Sequence, residues 1–500
     1  MTTRSHAPRN GSVVAIATDN TREEVADIVR AAAETAARFA TVSPAERLGW
    51  LGAVAEAVEA HRDELVSLAD LETALGNARL NGELDRMADQ LRYYGRVAVE
   101  GSHLGVSIDE ATATTPRLVR MNQPLGPVAV FGSSNFPFAF GVLGTDTASA
   151  LASGCPVVAK AHSAHLSTCL RLVEIARDAL AEAGAPRDAL SVVVGRQAGA
   201  DLVATPGIKA VGFTGSQDVG LKLWRIANER DGVIPVYAEM GTVNPVVLTP
   251  AGVDRLDEVA RGFVGSFTLG AGQFCTKPGL LFAPAGSGCA AVVAAALRSA
   301  SPQAVMLTKA IAEDVTGGLD ELVAAGATVV ARVDSPPIGW SAPSAVLSAP
   351  ISALTPGSRL LQECFGPVAV VIEYETGAQL EVGLRSLQGS LAGAVFGGEA
   401  NDPDVARAVA ILAAQVGRVT VGDWPTGVAW TWSQQHGGPW PATSRPESTS
   451  VGAAALARFL RPVTFQSVPD EALPEVVRAV TASDNPWRVP RRIDGTLVVS

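Results

Sequence analysis

Short β-branched, apolar runs alternate with helical segments from about residue 123 onward, and this alternation restricts the fold more than any other feature. The first four runs are GPVAVFG (126–132), CPVVAKA (155–161), LSVVVG (190–195) and KAVGFTG (209–215). Buried strands separated by helices are typical of βαβ units, which build a parallel sheet that binds ligands at the carboxyl ends of its strands. A second series of the same kind runs from 244 to 423, so the sequence predicts an α/β protein.

The first hundred residues have helical spacing. Residues 21–24 and 43–46 have the S/T-x-x-E pattern of a capping box, and each precedes a run rich in alanine and leucine. Residues 103–122 predict a polar hairpin before the first sheet. Residues 430–450, rich in Gly, Pro, Ser and Trp, predict a structured loop.

Length, charge and cysteine usage exclude several classes of protein. A chain of 500 residues is too long for one hydrophobic core, so two or three domains are expected. The formal net charge of −11 argues against a nucleic-acid partner, and no apolar run is long enough to span a bilayer. The N-terminus lacks the apolar segment of a secretory signal. Five cysteines without CxxC spacing indicate reduced thiols in a cytoplasmic protein, with neither disulfides nor a metal site.

Two residues beside glycine turns are candidates for catalysis. Cys275 lies in GAGQFCTKPG (270–279) among polar neighbours, so it is either a nucleophile or a cysteine that sits in a turn. Glu239 ends an apolar run in AEMGTVNP (238–245). A carboxylate buried there is expected to have a raised pKa and to serve as a general base, with an ion-paired structural glutamate as the alternative.

Three further segments have features of a nucleotide site. GFTGSQDVG (212–220) ends a strand and begins a helix, which presents free N–H groups to a pyrophosphate or only connects the two elements. Lys160 ends a strand of the same sheet, where it would reach a ribose or a phosphate, or remain a surface lysine. In QECFGPV (362–368), Glu363 and Phe365 would hold a sugar diol and flank a heterocycle, or form a helix cap and part of a core.

Six motifs occur in one order along the chain: SSNFPFAF, VVAKAHS, GFTGS, EMGTVNP, GQFCTKPG and ECFGPV. Together they resemble the aldehyde dehydrogenase superfamily over residues 20–465. EMGTVNP, the WPTGV turn (424–428), HGGPWPATS and TSVGAAALARFLRPV are most similar to one branch. That branch contains 2-oxoglutarate semialdehyde dehydrogenases and an NADP-dependent fatty aldehyde dehydrogenase.

The resemblance implies the aldehyde dehydrogenase fold, which is α/β with three parts. These parts are a Rossmann-like cofactor domain (1–102 and 123–238), an α/β catalytic domain (239–464) and a small β oligomerisation element (103–122 and 465–500). The resemblance further implies that the chain forms a homodimer or a homotetramer.

The resemblance also implies the chemistry. Cys275 is expected to attack an aldehyde and give a thiohemiacetal, with Asn135 and the Cys275 backbone N–H as the oxyanion hole. After hydride transfer to a nicotinamide, Glu239 would activate the water that hydrolyses the thioester. A CoA-acylating dehydrogenase, which needs no such base, and a non-catalytic relative are the alternative functions.

For the cofactor, the resemblance implies that Glu363 holds the nicotinamide ribose and that Phe365 flanks the ring. It also implies that Ser216 contacts the pyrophosphate, with Gly215 beside it in the cofactor site, and that Lys160 binds the adenosine ribose. Ser163 stands where many NAD-preferring members have a glutamate, so a carboxylate that would repel a 2′-phosphate is absent. Arg196 falls at the second wall of the adenosine site, where it would pair with that phosphate unless it is a solvated loop charge. These two positions favour NADP over NAD.

The predicted substrate residues lie beside the motifs. Phe136, Phe274 and Thr276 are expected to line the aldehyde channel, with Trp430 over it. Arg92 resembles an arginine of the semialdehyde branch and would bind a substrate carboxylate, or else form an ion pair on a helix surface. The predicted substrate is 2-oxoglutarate semialdehyde (2,5-dioxopentanoate), which would give 2-oxoglutarate. A medium-chain, long-chain or general aldehyde is the alternative.

Overall fold

The computed structural model describes residues 1–398, 401–481, 487–493 and 495–498. Its α-helices are α1 (Arg22–Phe39), α2 (Pro44–Ala60), α3 (Arg62–Thr73), α4 (Asn77–Glu100), α5 (Thr145–Ser153), α6 (Leu166–Glu182), α7 (Arg196–Ala204), α8 (Gln217–Asn228), α9 (Leu256–Thr268), α10 (Cys289–Ala300), α11 (Lys309–Ala324), α12 (Gly377–Arg385), α13 (Pro403–Ala413) and α14 (Glu475–Val480). Its strands are β1 (Thr2–His6), β2 (Val13–Thr18), β3 (Ser107–Asp109), β4 (Leu118–Pro124), β5 (Val128–Phe131), β6 (Val157–Lys160), β7 (Leu190–Val193), β8 (Ala210–Gly215), β9 (Val236–Met240), β10 (Pro245–Leu248), β11 (Leu280–Pro284), β12 (Thr328–Val333), β13 (Ser344–Pro350), β14 (Val368–Tyr374), β15 (Ser390–Phe396), β16 (Val416–Val421), β17 (Leu460–Gln466), β18 (Arg491–Ile493) and β19 (Thr496–Val498).

Both predicted capping boxes begin helices. The Thr21 hydroxyl accepts the Glu24 N–H (3.2 Å) at the start of α1. At the start of α2, the Ser43 hydroxyl accepts the Glu46 N–H (3.2 Å), and the Glu46 carboxylate accepts the Ser43 N–H (3.0 Å). The antiparallel pair β1–β2 precedes these helices and was not predicted. Its sequence signal is the Asn-Gly dipeptide that ends at Gly11 (φ 72°), because a turn of this kind favours a hairpin.

The four apolar runs of the first series form β5 to β8 of one parallel sheet, in the strand order β7-β6-β5-β8-β9. Helices α5 to α8 alternate with these strands, as the βαβ interpretation predicts. The carboxyl ends of the five strands therefore meet at one edge, and the order reverses direction beside β5. A crevice outside that edge is where an open α/β sheet binds its ligand.

The second series forms a sheet of seven strands in the order β12-β13-β14-β11-β10-β15-β16. Every neighbouring pair is parallel except β12–β13. Strands β10, β11, β14 and β15 are almost entirely buried. This burial explains why their sequences are continuously apolar rather than alternating.

A third sheet, of order β17-β4-β3-β18-β19, brings the predicted hairpin and the C-terminal segment together. The hairpin is β3–β4, and β17 pairs antiparallel with β4, from Leu460 opposite Pro124 to Gln466 opposite Leu118. The predicted boundary between 464 and 465 falls inside β17, so the whole strand belongs with this sheet. Within 465–500, residues 482–486, 494 and 499–500 lie outside the described part of the chain.

The predicted loop at 430–450 packs against the first sheet. Met240 N–H donates to Ala442 O (2.8 Å) and Ser444 N–H donates to Ala238 O (3.0 Å), so the loop continues the hydrogen bonding of β9. None of the helices in the described residues is both long enough and apolar enough to cross a bilayer.

Candidate active site

Cys275 follows α9 in a turn that leads into β11. The turn needs left-handed backbone at Gly270 (φ 57°) and Gly272 (φ 69°), which glycine adopts without strain. The Asn244 side-chain amide donates to Cys275 O (2.7 Å) and Lys277 O (3.1 Å) and holds the turn in place. The motif that carries Glu239 is therefore hydrogen-bonded directly to the motif that carries the thiol.

His436, from the loop after β16, joins the two predicted catalytic residues. Its Nε2 lies 3.9 Å from Cys275 Sγ and 2.9 Å from Glu239 Oε1. Glu239 and His436 are both buried. Nε2 and Oε1 meet without the alignment of a hydrogen bond, and the contact becomes an ion pair when His436 carries a proton on Nε2. Ser450 donates a hydrogen bond to the other carboxylate oxygen, Oε2.

The electrostatics differ from the expectation for Glu239. Burial acts to raise its pKa, but the contacts with His436 and Ser450 outweigh burial, and the pKa lies below its usual value. The predicted raised pKa is therefore wrong, because the sequence does not show these two partners. For Cys275, burial and the nearby charges of Glu239 and Glu363 raise the pKa of the thiol. The thiol is protonated at neutral pH and needs a base to become a nucleophile.

Asn135 is buried beside the nucleophile turn. One N–H of its side-chain amide donates to Gln273 O (2.8 Å), two residues before Cys275. The second N–H is not used in this contact and is available to an oxyanion. Arg79 donates to the Asn135 carbonyl (2.6 Å), which fixes the backbone that carries this amide.

The predicted cofactor residues gather at the carboxyl edge of the first sheet. Lys160 ends β6, Arg196 begins α7 directly after β7, and Gly215 ends β8. Ser216 is the N-cap of α8 but makes no side-chain capping bond, so the first N–H groups of α8 can bind an anion. Ser163 is exposed in a short turn after β6. Burial lowers the pKa of Lys160 and the charge of Arg196 acts in the same direction, so two cations lie on one side of this edge.

Glu363 approaches the first sheet from the second. Its Oε1 is buried without a hydrogen-bond partner, and a Cβ on Gly241 would lie 2.1 Å from its Oε2. Burial raises the pKa of Glu363 to about 7, against the opposing effect of Lys277. Lys277 Nζ donates to Cys364 O (2.9 Å) and Val368 O (2.7 Å), and so ties this segment to the Cys275 turn. The unpaired acceptor fits the hydroxyl donors of a ribose, and the half-buried Phe365 follows two residues later.

Aromatic side chains form a wall beside Cys275. The ring of Phe136 meets those of Phe274 (5.1 Å between centroids) and Phe140 (5.4 Å), both edge-on. Trp430 packs against the same cluster and donates its indole N–H to Asp89. The wall contains three of the predicted substrate residues.

Two other predicted substrate residues are engaged elsewhere. The Thr276 hydroxyl donates to Thr426 O (2.9 Å) and the side chain is buried, so it holds the 424–428 turn and is not free for a substrate. Arg92 forms a bidentate ion pair with Glu59 on α2 (2.9 and 2.5 Å). Of the two interpretations of Arg92, the ion pair on the helix surface is the one that the structure shows.

Comparisons with known proteins agree with this fold. The model of the aldehyde dehydrogenase family matches residues 1–439. The chain belongs to the aldehyde dehydrogenase family. The family and the fold predicted from the six motifs are thus confirmed, and so are the enzyme class and its use of a nicotinamide cofactor.

Two curated aldehyde dehydrogenases are similar over most of their length. Alpha-ketoglutaric semialdehyde dehydrogenase 2 of Azospirillum brasilense is 42% identical over 464 residues, covering 90% of this chain and 87% of that protein. The alpha-ketoglutaric semialdehyde dehydrogenase of Acinetobacter baylyi is 36% identical over 488 residues, covering 95% and 92%. In fold, the chain resembles apo betaine aldehyde dehydrogenase of Staphylococcus aureus, with a TM-score of 0.81 at 20% identity over 94% of this chain and 93% of that one.

Sequence reasoning missed His436 and Ser450. His436 is one of six histidines and lies in HGGPWPATS, a segment that supported the family resemblance without suggesting a role. A histidine among glycines and prolines was the available signal.

The ligand atoms of Cys275, Glu239 and His436 lie within 4.8 Å of one another. Thiolate, imidazole and carboxylate also bind Zn²⁺, so a divalent ion would compete for the atoms that the chemistry needs.

Proposed function

We propose that this aldehyde dehydrogenase oxidises 2-oxoglutarate semialdehyde to 2-oxoglutarate with NADP, by way of a thioester on Cys275. The proposed mechanism rests on one observation. A buried histidine lies between a thiol and a carboxylate, at 3.9 Å from Sγ and 2.9 Å from Oε1. Both contacts are made by Nε2, so this one imidazole nitrogen places a base within reach of the nucleophile and of the carboxylate.

The first half of the reaction forms the covalent intermediate. With its proton on Nδ1, His436 accepts the thiol proton at Nε2, and Glu239 stabilises the resulting imidazolium across the 2.9 Å contact. The thiolate attacks the aldehyde carbon, and the oxyanion accepts hydrogen bonds from the free N–H of Asn135 and the Cys275 backbone N–H. Such donors each contribute about 10²–10³ in rate.

The second half releases the acid. When bound, the nicotinamide supplies the acceptor for the hydride that leaves the thiohemiacetal carbon. Glu239 then takes a proton from the water that attacks the thioester, and its low pKa keeps it ionised at neutral pH. A base so close to the thioester favours water as the acceptor over the thiol of a CoA. The presence of this base also argues against the alternative that the chain is a non-catalytic relative of the family.

The cofactor preference rests on the carboxyl edge of the first sheet. Lys160 and Arg196 lie close enough for their charges to interact, and Ser163 contributes no carboxylate. Two cations favour a 2′-phosphate, and the one carboxylate that acts on Lys160, Asp19, already accepts a hydrogen bond from Thr3 (2.7 Å). The open N-terminus of α8, with Gly215 and Ser216, is suited to the pyrophosphate. Glu363 and Phe365 are suited to the nicotinamide ribose and ring.

The substrate is proposed from the relatives. Two curated relatives that cover most of the chain are named for alpha-ketoglutaric semialdehyde, at 42% and 36% identity. A medium- or long-chain aldehyde remains the competing substrate, since aromatic walls accept an apolar chain equally well.

We also propose a homodimer or homotetramer that assembles through the third sheet, because β3, β4 and the C-terminal strands form it together.

The test compares Cys275→Ala with Cys289→Ala, which removes a buried cysteine on α10. Formation of reduced cofactor is followed with NADP and with NAD, on 2-oxoglutarate semialdehyde and on pentanal. We expect no turnover from Cys275→Ala, near-normal turnover from Cys289→Ala, and fastest wild-type turnover with the semialdehyde and NADP. Turnover by Cys275→Ala would refute the mechanism. Faster oxidation of pentanal would refute the substrate, and preference for NAD would refute the cofactor.

A further inference from the structure

Two arginines of α4 lie against the aromatic wall, although neither was predicted. The Arg79 guanidinium stacks on Phe136 (5.0 Å) and Phe274 (4.8 Å). The Arg86 guanidinium stacks on Phe140 (5.0 Å) and Trp430 (4.8 Å). A spacing of seven residues puts both on one face of the helix, whereas Arg92 falls on a different face. The rings that should border the aldehyde therefore carry a cation on each side.

Each guanidinium keeps a buried nitrogen without a partner. Arg79 uses Nη2 for the Asn135 carbonyl, but its Nη1 has no acceptor. Arg86 Nη2 is likewise unpaired, while its Nε donates to the Gln90 side-chain oxygen (3.1 Å) once that amide is oriented to suit both neighbours. Within the described residues, no carboxylate lies within 4 Å of either guanidinium, in contrast to Arg92 and its partner Glu59.

The charge around the two arginines is not balanced locally. Glu83 lies between them on the same helix face, but its Oε1 accepts the backbone N–H groups of Phe138 (2.9 Å) and Ala139 (3.2 Å). Burial raises the pKa of Glu83, against the opposing charge of Arg79. Two half-buried cations share this single carboxylate, so a net positive charge remains, which an anionic ligand would offset.

We propose that Arg79 and Arg86 bind the 2-oxo-carboxylate end of an acidic aldehyde and thereby select 2-oxoglutarate semialdehyde over neutral aldehydes. This inference rests on the function proposed above. The carboxylate and the adjacent oxo group offer acceptors on neighbouring carbons, which suit two guanidinium groups with one unpaired nitrogen each. The Phe136, Phe140 and Phe274 rings contact the two methylene groups between. The aldehyde end then reaches Cys275, the residue that follows Phe274.

Arg86 is the better residue to change first, since Arg79 also supports Asn135. Steady-state rates are measured for Arg86→Met and for Arg92→Met, which removes an arginine from another face of the same helix. The aldehydes are 2-oxoglutarate semialdehyde, glutarate semialdehyde (which lacks the 2-oxo group) and pentanal (which lacks both groups). Inhibition by 2-oxoglutarate during pentanal oxidation measures anion binding without oxidation of an acidic aldehyde.

For Arg86→Met we expect kcat/KM to fall about 10- to 100-fold on both acidic aldehydes, as for the loss of a charge-assisted hydrogen bond. Its rate on pentanal stays within about twofold, and inhibition by 2-oxoglutarate weakens in parallel with the loss on the acids. Arg79→Lys, which keeps the charge but not the fork of donors, loses less on the acids than Arg79→Met does. Arg92→Met matches wild type on all three aldehydes.

Equal losses on pentanal and the acids would show that Arg86 acts on Cys275 or on folding, and would overturn the proposal. Unchanged rates on the acids would overturn it as well. A third outcome is that wild type oxidises glutarate semialdehyde and not 2-oxoglutarate semialdehyde, and that Arg86→Met loses the oxidation of glutarate semialdehyde. That pair of results would refute the proposed substrate and support the anion site. A wild type that oxidises only pentanal would refute both.

Discussion

Ser450→Ala tests the electrostatic account of Glu239. The substitution removes the hydroxyl that donates to Oε2 and leaves the His436 contact at Oε1. A charge-assisted hydrogen bond contributes about 1.5–3 kcal/mol, and one pKa unit corresponds to about 1.4 kcal/mol. Loss of this bond should therefore destabilise the ionised Glu239 by about 1.5–3 kcal/mol and raise its pKa, because burial is then opposed by one fewer partner.

The sign of the kinetic effect follows from the role of Glu239 as a base, which must be ionised. At pH 8 the carboxylate stays ionised in both proteins, and thioester hydrolysis should change little. As the pH falls, the variant should lose hydrolysis at a higher pH than wild type does, because its Glu239 becomes protonated first.

The assay is a rapid-quench measurement of acid release from the acyl-enzyme after pH jumps to values between pH 3.5 and 8, a range that extends below the usual pKa of a glutamate. Ser448→Ala serves as the matched control, because its hydroxyl donates to Arg445 O (2.8 Å) on the same loop and does not contact Glu239. An acidic limb that stays at the wild-type position, or that moves equally in both variants, would refute the assignment of Ser450.

Two further perturbations have defined signs. Burial raises the pKa of Glu363 from 4.5 to about 7, so the ionised carboxylate destabilises the folded protein increasingly as pH rises through this window. Glu363→Gln should then stabilise the cofactor-free protein by about 3 kcal/mol at pH 8 and by almost nothing at pH 4.5, while weakening nucleotide binding. Melting curves and nucleotide titrations check both effects, and a pH-independent melting difference would contradict the first. Arg458→Met breaks the buried ion pair with Asp146 (2.8 Å) and should cost about 3–5 kcal/mol of unfolding free energy, measured by denaturant titration, with part recovered by adding Asp146→Asn.

Local patterns in the sequence determined much of the fold. The capping boxes at Thr21 and Ser43 begin helices because their hydrogen bonds join residues three apart. Continuous apolar runs became central parallel strands because a strand covered on both faces excludes polar side chains. The glycine turns around Cys275 and Glu239 were also visible locally, and these two residues meet as the family resemblance implies.

The tertiary structure alone decided which side chains surround those residues. His436 lies 161 positions from Cys275, and Ser450 lies 211 positions from Glu239, so no local pattern joins them. The direction of the Glu239 pKa shift, the pairing of Arg92 with Glu59 and the unpaired nitrogens of Arg79 and Arg86 depend on such distant partners. Hydrogen bonding within helices and their caps is set by neighbouring residues, whereas strand pairing, burial and charge pairing are set by whatever the fold brings against each segment.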